Sequence, residues 1–197
     1  PDILPEFLQH GGKQSFAIRF TLASLLSSSY GIYGQAFENC ICQSISGKEE
    51  YLDSEKYELK NWTTVGNDYI IHLITTINKI RKQNQALQQT NNIILLPNTS
   101  DSVLTFCKYS SGRSNTVIVS INIDPFHRHK TSVDLSGLLE KTIVHSAFYL
   151  EELISGEHFF QTERILKVDM ENTLYPARIL RVKEMQSNEQ TFSYYLH

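Results

Sequence analysis

The chain has no apolar run of the roughly 18 to 20 residues that a membrane span needs, and it opens on Pro1 and Asp2 instead of a basic segment followed by an apolar one. No membrane partner is expected. It has only three cysteines, Cys40, Cys42 and Cys107, with no histidine or further cysteine at zinc spacing, which argues against a metal framework or a disulfide scaffold. Reduced thiols, a cytoplasmic location, and no metal or cofactor are expected. It also lacks a basic excess: 18 Lys and Arg against 21 Asp and Glu give a net charge of −3, so no nucleic-acid partner is expected. The one basic cluster, Lys79, Arg81 and Lys82, reads as the solvated face of a helix. Internal repeats and low-complexity tracts are missing, as is an initiator Met, and the first residues read as the middle of a motif. A piece of a longer protein is expected.

What is present is ordinary globular composition, 41% hydrophobic and 20% charged. From Gln14 to Ser27 the chain is apolar nearly all round a helix, as in a buried one. Gly11 and Gly12 punctuate its start, Ser27 to Ser29 its end. Tyr30 to Tyr33 has strand composition, and Gln35 to Gly66 is a long polar stretch without periodicity, a length that within a domain is usually functional. Ile70, Leu73, Ile74, Ile77, Ile80 and Leu87 then recur at helical spacing, predicting an amphipathic helix from about Asp68 to Leu87.

Beyond Gln88 the pattern turns to short β-type runs at Ile93–Leu96, Val103–Tyr109, Thr116–Ile123, Thr131–Leu135, Ala147–Leu150, Ile165–Val168 and Ala177–Val182. Turn clusters at Asn98–Asp101 and Ser110–Asn115 separate them, which argues for an antiparallel β-sandwich. Phe159 and Phe160 beside Tyr149 are expected to fill its core.

Several segments, in this order, closely resemble the C-terminal third of the maltose-1-phosphate maltosyltransferases, a branch of the α-amylase superfamily. They are Pro1-Asp2-Ile3-Leu4, the run Tyr30 to Gly34, and above all Glu49-Glu50-Tyr51-Leu52-Asp53-Ser54-Glu55-Lys56-Tyr57. Lys79 to Leu87 looks like the final barrel helix of amylase-type enzymes, and Glu151 to Glu157 with Tyr175 to Val182 is similar to the last strands of the family's sandwich. The resemblance implies an α+β fragment: residues 1–90 as the C-terminal end of a (β/α)8 barrel, 91–184 as an antiparallel β-sandwich, and 185–197 as a tail without assignment.

It also implies retaining chemistry. One carboxylate becomes glycosylated, a second carboxyl is acid and then base, and a third carboxylate stabilises the oxocarbenium-like transition state. By its place in Pro-Asp-Ile-Leu, Asp2 matches the third. Lys56 and Tyr57 match the pair that holds the maltosyl unit, an ammonium and a hydroxyl to reach sugar hydroxyls and a ring to offer an apolar face. The matching nucleophile and acid/base are not among these residues, so the chain alone is expected to be inactive. The implied partners of the parent enzyme are α-1,4-glucan, maltose 1-phosphate and a second copy of itself in a homodimer.

Tyr33 and Glu38 follow the expected last barrel strand, where such barrels build their sites, although Tyr33-Gly34-Gln35-Ala36-Phe37-Glu38 departs from the Tyr-Gly-x-Glu pattern common in amylases. Trp62 and the seven histidines show no ligand spacing, and His127 and His129 read as a solvated turn. Two alternatives stay open: an α-glucan hydrolase, and a non-catalytic carbohydrate-binding or structural module.

Overall fold

The computed structural model describes residues 3–56, 58–62, 68–138, 148–171 and 173–183. Four helices come first: α1 (Glu6–His10), α2 (Gly12–Leu26), α3 (Gly34–Glu38) and α4 (Asp68–Gln83). Eight strands follow: β1 (Ile93–Leu95), β2 (Val103–Tyr109), β3 (Thr116–Asn122), β4 (Lys130–Asp134), β5 (Phe148–Glu152), β6 (His158–Gln161), β7 (Ile165–Asp169) and β8 (Ala177–Lys183).

Six strands form one antiparallel sheet in the order β1-β2-β3-β8-β5-β6, and β4 pairs with β7 in a second. The central strand β3 is buried along its whole length, which is why Val117, Ile118 and Val119 run together without polar alternation. Side chains on successive residues point to opposite faces, and here the two faces have different neighbours. Phe106, Val117, Val119, Ile121 and Ile179 meet the helices, in a core with Leu4, Phe16, Phe20, Leu73, Ile77 and Leu87. Cys107, Ile118 and Leu180 meet the small sheet, in a core with Val133, Leu150, Leu166 and Val168.

The helices follow from local sequence. α1 and α2 meet at Gly11, whose N–H donates to the Phe7 carbonyl at 3.1 Å. A Cβ at that position would stand 2.5 Å from Cβ of Ser15, so only glycine lets the two helices approach this way. α4 buries Ile70, Leu73, Ile77 and Ile80, begins with Asp68 and ends with Arg81 and Lys82, charges that suit its dipole.

The structure departs from the sequence-based expectations in four places. The helix expected to reach Leu87 stops at Gln83, because Asn84 is extended; its amide donates back to the Ile80 carbonyl at 2.8 Å, and a 3-10 turn (Gln85–Gln88) follows. Tyr30 to Tyr33 forms no strand among the described residues: a strand needs a backbone partner, and these residues are anchored by side chains instead. Tyr30 packs edge-on against Phe20 at 5.5 Å and lies under the Arg81 guanidinium at 5.1 Å.

Arg81 itself is not a solvated basic residue. It is half-buried and donates to the carbonyls of Ser24, Ser27, Ser28 and Leu87, capping the C-terminus of α2, and burial lowers its pKa. Finally, Tyr149 and Phe160 do not fill the sandwich core. They face each other across β5 and β6 with ring centroids 5.1 Å apart, both exposed, because β6 is the sheet edge; Phe159 alone leans on the core.

Candidate sugar site

Asp2 and Tyr57 lie outside the described residues, as does the tail 185–197; Lys56, together with Ile3 and Glu58 next to the other two, is described. The segment that follows Asp2 is fixed by the long loop. Ile3 forms an isolated antiparallel bridge with Glu50, and the Leu4 N–H donates to the Glu49 carbonyl at 2.9 Å. The Glu6 N–H donates to the Glu49 carboxylate at 2.8 Å. Gln9, on α1, ties the two segments from the side: its amide donates to the carbonyls of Leu4 (2.8 Å) and Lys48 (3.1 Å), and its oxygen accepts from the Ser44 hydroxyl (2.7 Å).

From Glu50 the loop doubles back on itself through a bridge between Ser44 and Tyr51, with the Leu52 N–H donating to the Gln43 carbonyl at 3.0 Å. Asp53 then takes a positive φ of 52°, a conformation that aspartate tolerates better than most residues. Ser54 is buried, and its carbonyl accepts from the Glu58 N–H at 3.1 Å. Lys56 is therefore exposed in a closed turn, six residues past the point where the loop grips Ile3.

Tyr33 and Tyr51 stand side by side, ring centroids 5.6 Å apart. Tyr51 is buried, and desolvation, with Tyr33 and Cys40 nearby, pushes its hydroxyl pKa up to about 12. Both rings line a groove of about 320 Å³ with Ile3, Phe20, Tyr30 and Ile32, aromatic walls with Arg19 at the rim. Ile3 is 67% exposed there. Glu38 closes α3 half-buried.

Trp62 was without assignment in the sequence. Its indole N–H donates at 2.7 Å to the carboxylate of Glu55, the residue that precedes Lys56 in the chain. The only signal for this was proximity, seven residues from Glu55 to Trp62. Outside this region, His127 and His129 both reach the Asp124 carboxylate, at 3.2 and 2.9 Å, and those bonds with two backbone N–H groups hold its pKa well below the carboxylate range. Among the described residues no group of three or more His, Cys, Asp or Glu could hold a metal ion, and no helix is long and apolar enough to cross a membrane.

An α-amylase from Anoxybacillus shares this fold, with a TM-score of 0.56 at 17% identity over 88% of this chain and 33% of that one. That defines the class: antiparallel sheets and helices arranged as in α-amylases. Residues 95–182 match the family model described as GLGE, C-terminal. The α-1,4-glucan:maltose-1-phosphate maltosyltransferase of Chlorobaculum tepidum is 40% identical over 190 residues, 92% of this chain and 28% of the relative. Enzyme 1 of that name from Streptomyces coelicolor is 41% identical over 164 residues, 81% and 24%. The chain is thus similar over most of its length to the maltosyltransferases, and residues 95–182 match the model of a C-terminal domain. It spans about a quarter of the length of the curated relatives it matches.

Proposed function

We propose that this chain is the C-terminal part of a cytoplasmic, homodimeric enzyme that transfers maltosyl units from maltose 1-phosphate to the non-reducing end of α-1,4-glucan and releases phosphate. Residues 1–90 then complete a (β/α)8 barrel, and residues 91–184 form the sandwich appended to it. Asp2 is the carboxylate that stabilises the transition state, since a fixed anion beside the ring lowers the energy of developing positive charge more than that of the neutral donor. Lys56 and Tyr57 hold the maltosyl unit. The nucleophile and the acid/base come from the part of the parent protein that precedes these residues, and the chain by itself performs no transfer.

One observation carries this reading: Ile3 and Leu4, next to Asp2, are bound to Glu49 and Glu50 in the very loop that displays Lys56. Two parts of the resemblance some fifty positions apart in sequence thereby come from one corner of the fold. No disulfide joins Cys40, Cys42 and Cys107, which supports a reducing compartment.

The test uses the full-length protein with maltose 1-phosphate and a maltooligosaccharide acceptor, following phosphate. Asp2→Asn is expected to lower kcat by roughly 100- to 1000-fold with little change in KM, whereas Lys56→Ala raises the donor KM. Glucan cleavage by water with no phosphate released from the donor would mean a hydrolase. Maltooligosaccharide binding to the 197-residue chain that survives loss of Lys56 and Tyr57 would point to a binding module.

A further inference from the structure

We infer that Trp62 is a positioning residue for the donor sugar: it fixes Lys56 through the hydrogen bond from its indole to Glu55. The inference rests on the sugar-binding reading of Lys56 given above.

Trp62 is the one tryptophan in the chain, and an aromatic ring near a sugar site invites a stacking role. Its surroundings argue otherwise. The ring is half-buried against the helix-side core, and the Lys60 ammonium sits 5.6 Å from its centroid. The space it shares with Tyr33, Ala36, Ile41, Tyr51, Ser54 and Glu55 is about 10 Å³, at the lower limit for even one water. No pyranose fits between the ring and that wall.

What Trp62 presents to the loop is its N–H. The contact to the Glu55 carboxylate is 2.7 Å, the length of a charge-assisted hydrogen bond, and stronger than a neutral one. Glu55 precedes Lys56, and on its other side Ser54 is buried and closes the turn onto Glu58. Two consecutive residues before Lys56 are thus anchored, one to the core and one to Trp62. A long lysine stem loses rotamer freedom when it binds, and a backbone already held in place reduces what must be ordered at that moment. Trp62 therefore acts on how well the donor is held and not on the bond-breaking step.

The experiment is steady-state kinetics of the full-length protein on maltose 1-phosphate with four single variants and the double variant Trp62→Phe/Glu55→Ala. Trp62→Phe keeps the ring and removes the N–H, Glu55→Ala removes the acceptor, Glu55→Gln keeps one, and Lys56→Ala removes the group being positioned. Trp62→Phe and Glu55→Ala are each expected to raise the donor KM roughly three- to tenfold with kcat within about twofold. Glu55→Gln should stay near the unaltered protein, and the double variant should be no worse than either single one, because both break one bond. A purely structural role would instead lower kcat through loss of folded enzyme and leave KM in place. Donor KM unchanged in Trp62→Phe and Glu55→Ala, while Lys56→Ala raises it, overturns the inference and spares the site assignment. An unchanged KM in Lys56→Ala overturns the assignment itself and the inference with it. A second readout comes from the 197-residue chain, where tryptophan emission reports this ring alone: Glu55→Ala should shift it to longer wavelength and increase quenching by acrylamide, and an unmoved spectrum counts against the bond.

Discussion

The loop that displays Lys56 and the six-stranded sheet are built on opposite plans. Between Asn39 and Trp62 the backbone makes isolated bridges, and position is decided by single side chains: Gln9, Glu49, Ser54 and Trp62. In the sheet every strand has a continuous antiparallel partner, and around the central strands β2, β3 and β8 both faces are packed, one against helices and one against β4 and β7. The sheet spreads a perturbation over many contacts, whereas in the loop one bond can set the place of one functional group. If Lys56 holds a sugar as proposed, the protein gains from having the second on top of the first.

The largest expected effect comes from breaking the sheet where it meets the helices. Phe106 on β2 is fully buried in the core shared with Phe16, Leu73 and Leu87. Phe106→Ala is expected to cost about 3–5 kcal/mol in urea unfolding. Because that core draws on residues from Leu4 to Ile179, amide exchange should speed up in α2 and α4 as well as in β2 and β3. Acceleration confined to the strands would mean that the helices are held by something else, and the contrast between a shared core and a local loop would have to be redrawn.

How much of this was legible follows the same division. Strands β2, β3, β7 and β8 were readable within a residue or two because their apolar runs end in turn residues, and burial on both faces leaves no other reading of Val117 to Val119. β6 was missed: at the sheet edge His158 and Phe160 are exposed, so the run His158 to Gln161 carries little periodic signal. Arg81 looked like surface charge because sequence shows a cation but not the four carbonyls that it caps. Of the candidate site, Lys56 was legible only through its motif. Its setting was not, since the ties from Gln9 to Lys48 and from Glu49 to Glu6 join positions some forty apart and leave no period in the sequence.

A smaller effect sharpens the difference between the sheet's own faces. Cys107 and Lys108 are adjacent on β2, fully buried, and point opposite ways. Lys108 donates to the carbonyls of Leu26 and Gln89 on the helix side, and burial, with Arg81 nearby, pulls its pKa down to about 8. Between pH 8 and the ordinary lysine value the unfolded chain holds a proton there that the folded one has shed, so this group makes stability rise with pH. Burial pushes the Cys107 thiol up to about 12. Above pH 9 the unfolded chain loses that proton first, so Cys107 makes stability fall. Unfolding free energies of Cys107→Ala from urea titration are expected to climb from pH 8 to 10, by at most about 1.4 kcal/mol per pH unit, where those of the unaltered chain flatten above pH 9. Identical profiles would show that the two faces do not differ in this way.

The smallest effect on stability is expected in the loop, and its localisation is the point. Gln9→Ala removes the amide that joins Leu4 to Lys48 and the oxygen that accepts from Ser44. These groups are part-buried or exposed, so water replaces most of what is lost, and the change in unfolding free energy should be about 1 kcal/mol or less. The backbone on either side has few other ties, so amide exchange at Leu4, Ile45 and Leu52 should accelerate while that of β2 and β3 stays as it was. In the full-length protein the same substitution should weaken donor use more than it weakens the fold, because the segment after Asp2 and the loop of Lys56 are held together there. A loss of stability as large as that of Phe106→Ala, shared by sheet and loop alike, would show that Gln9 serves the whole core and that the two regions obey one plan after all.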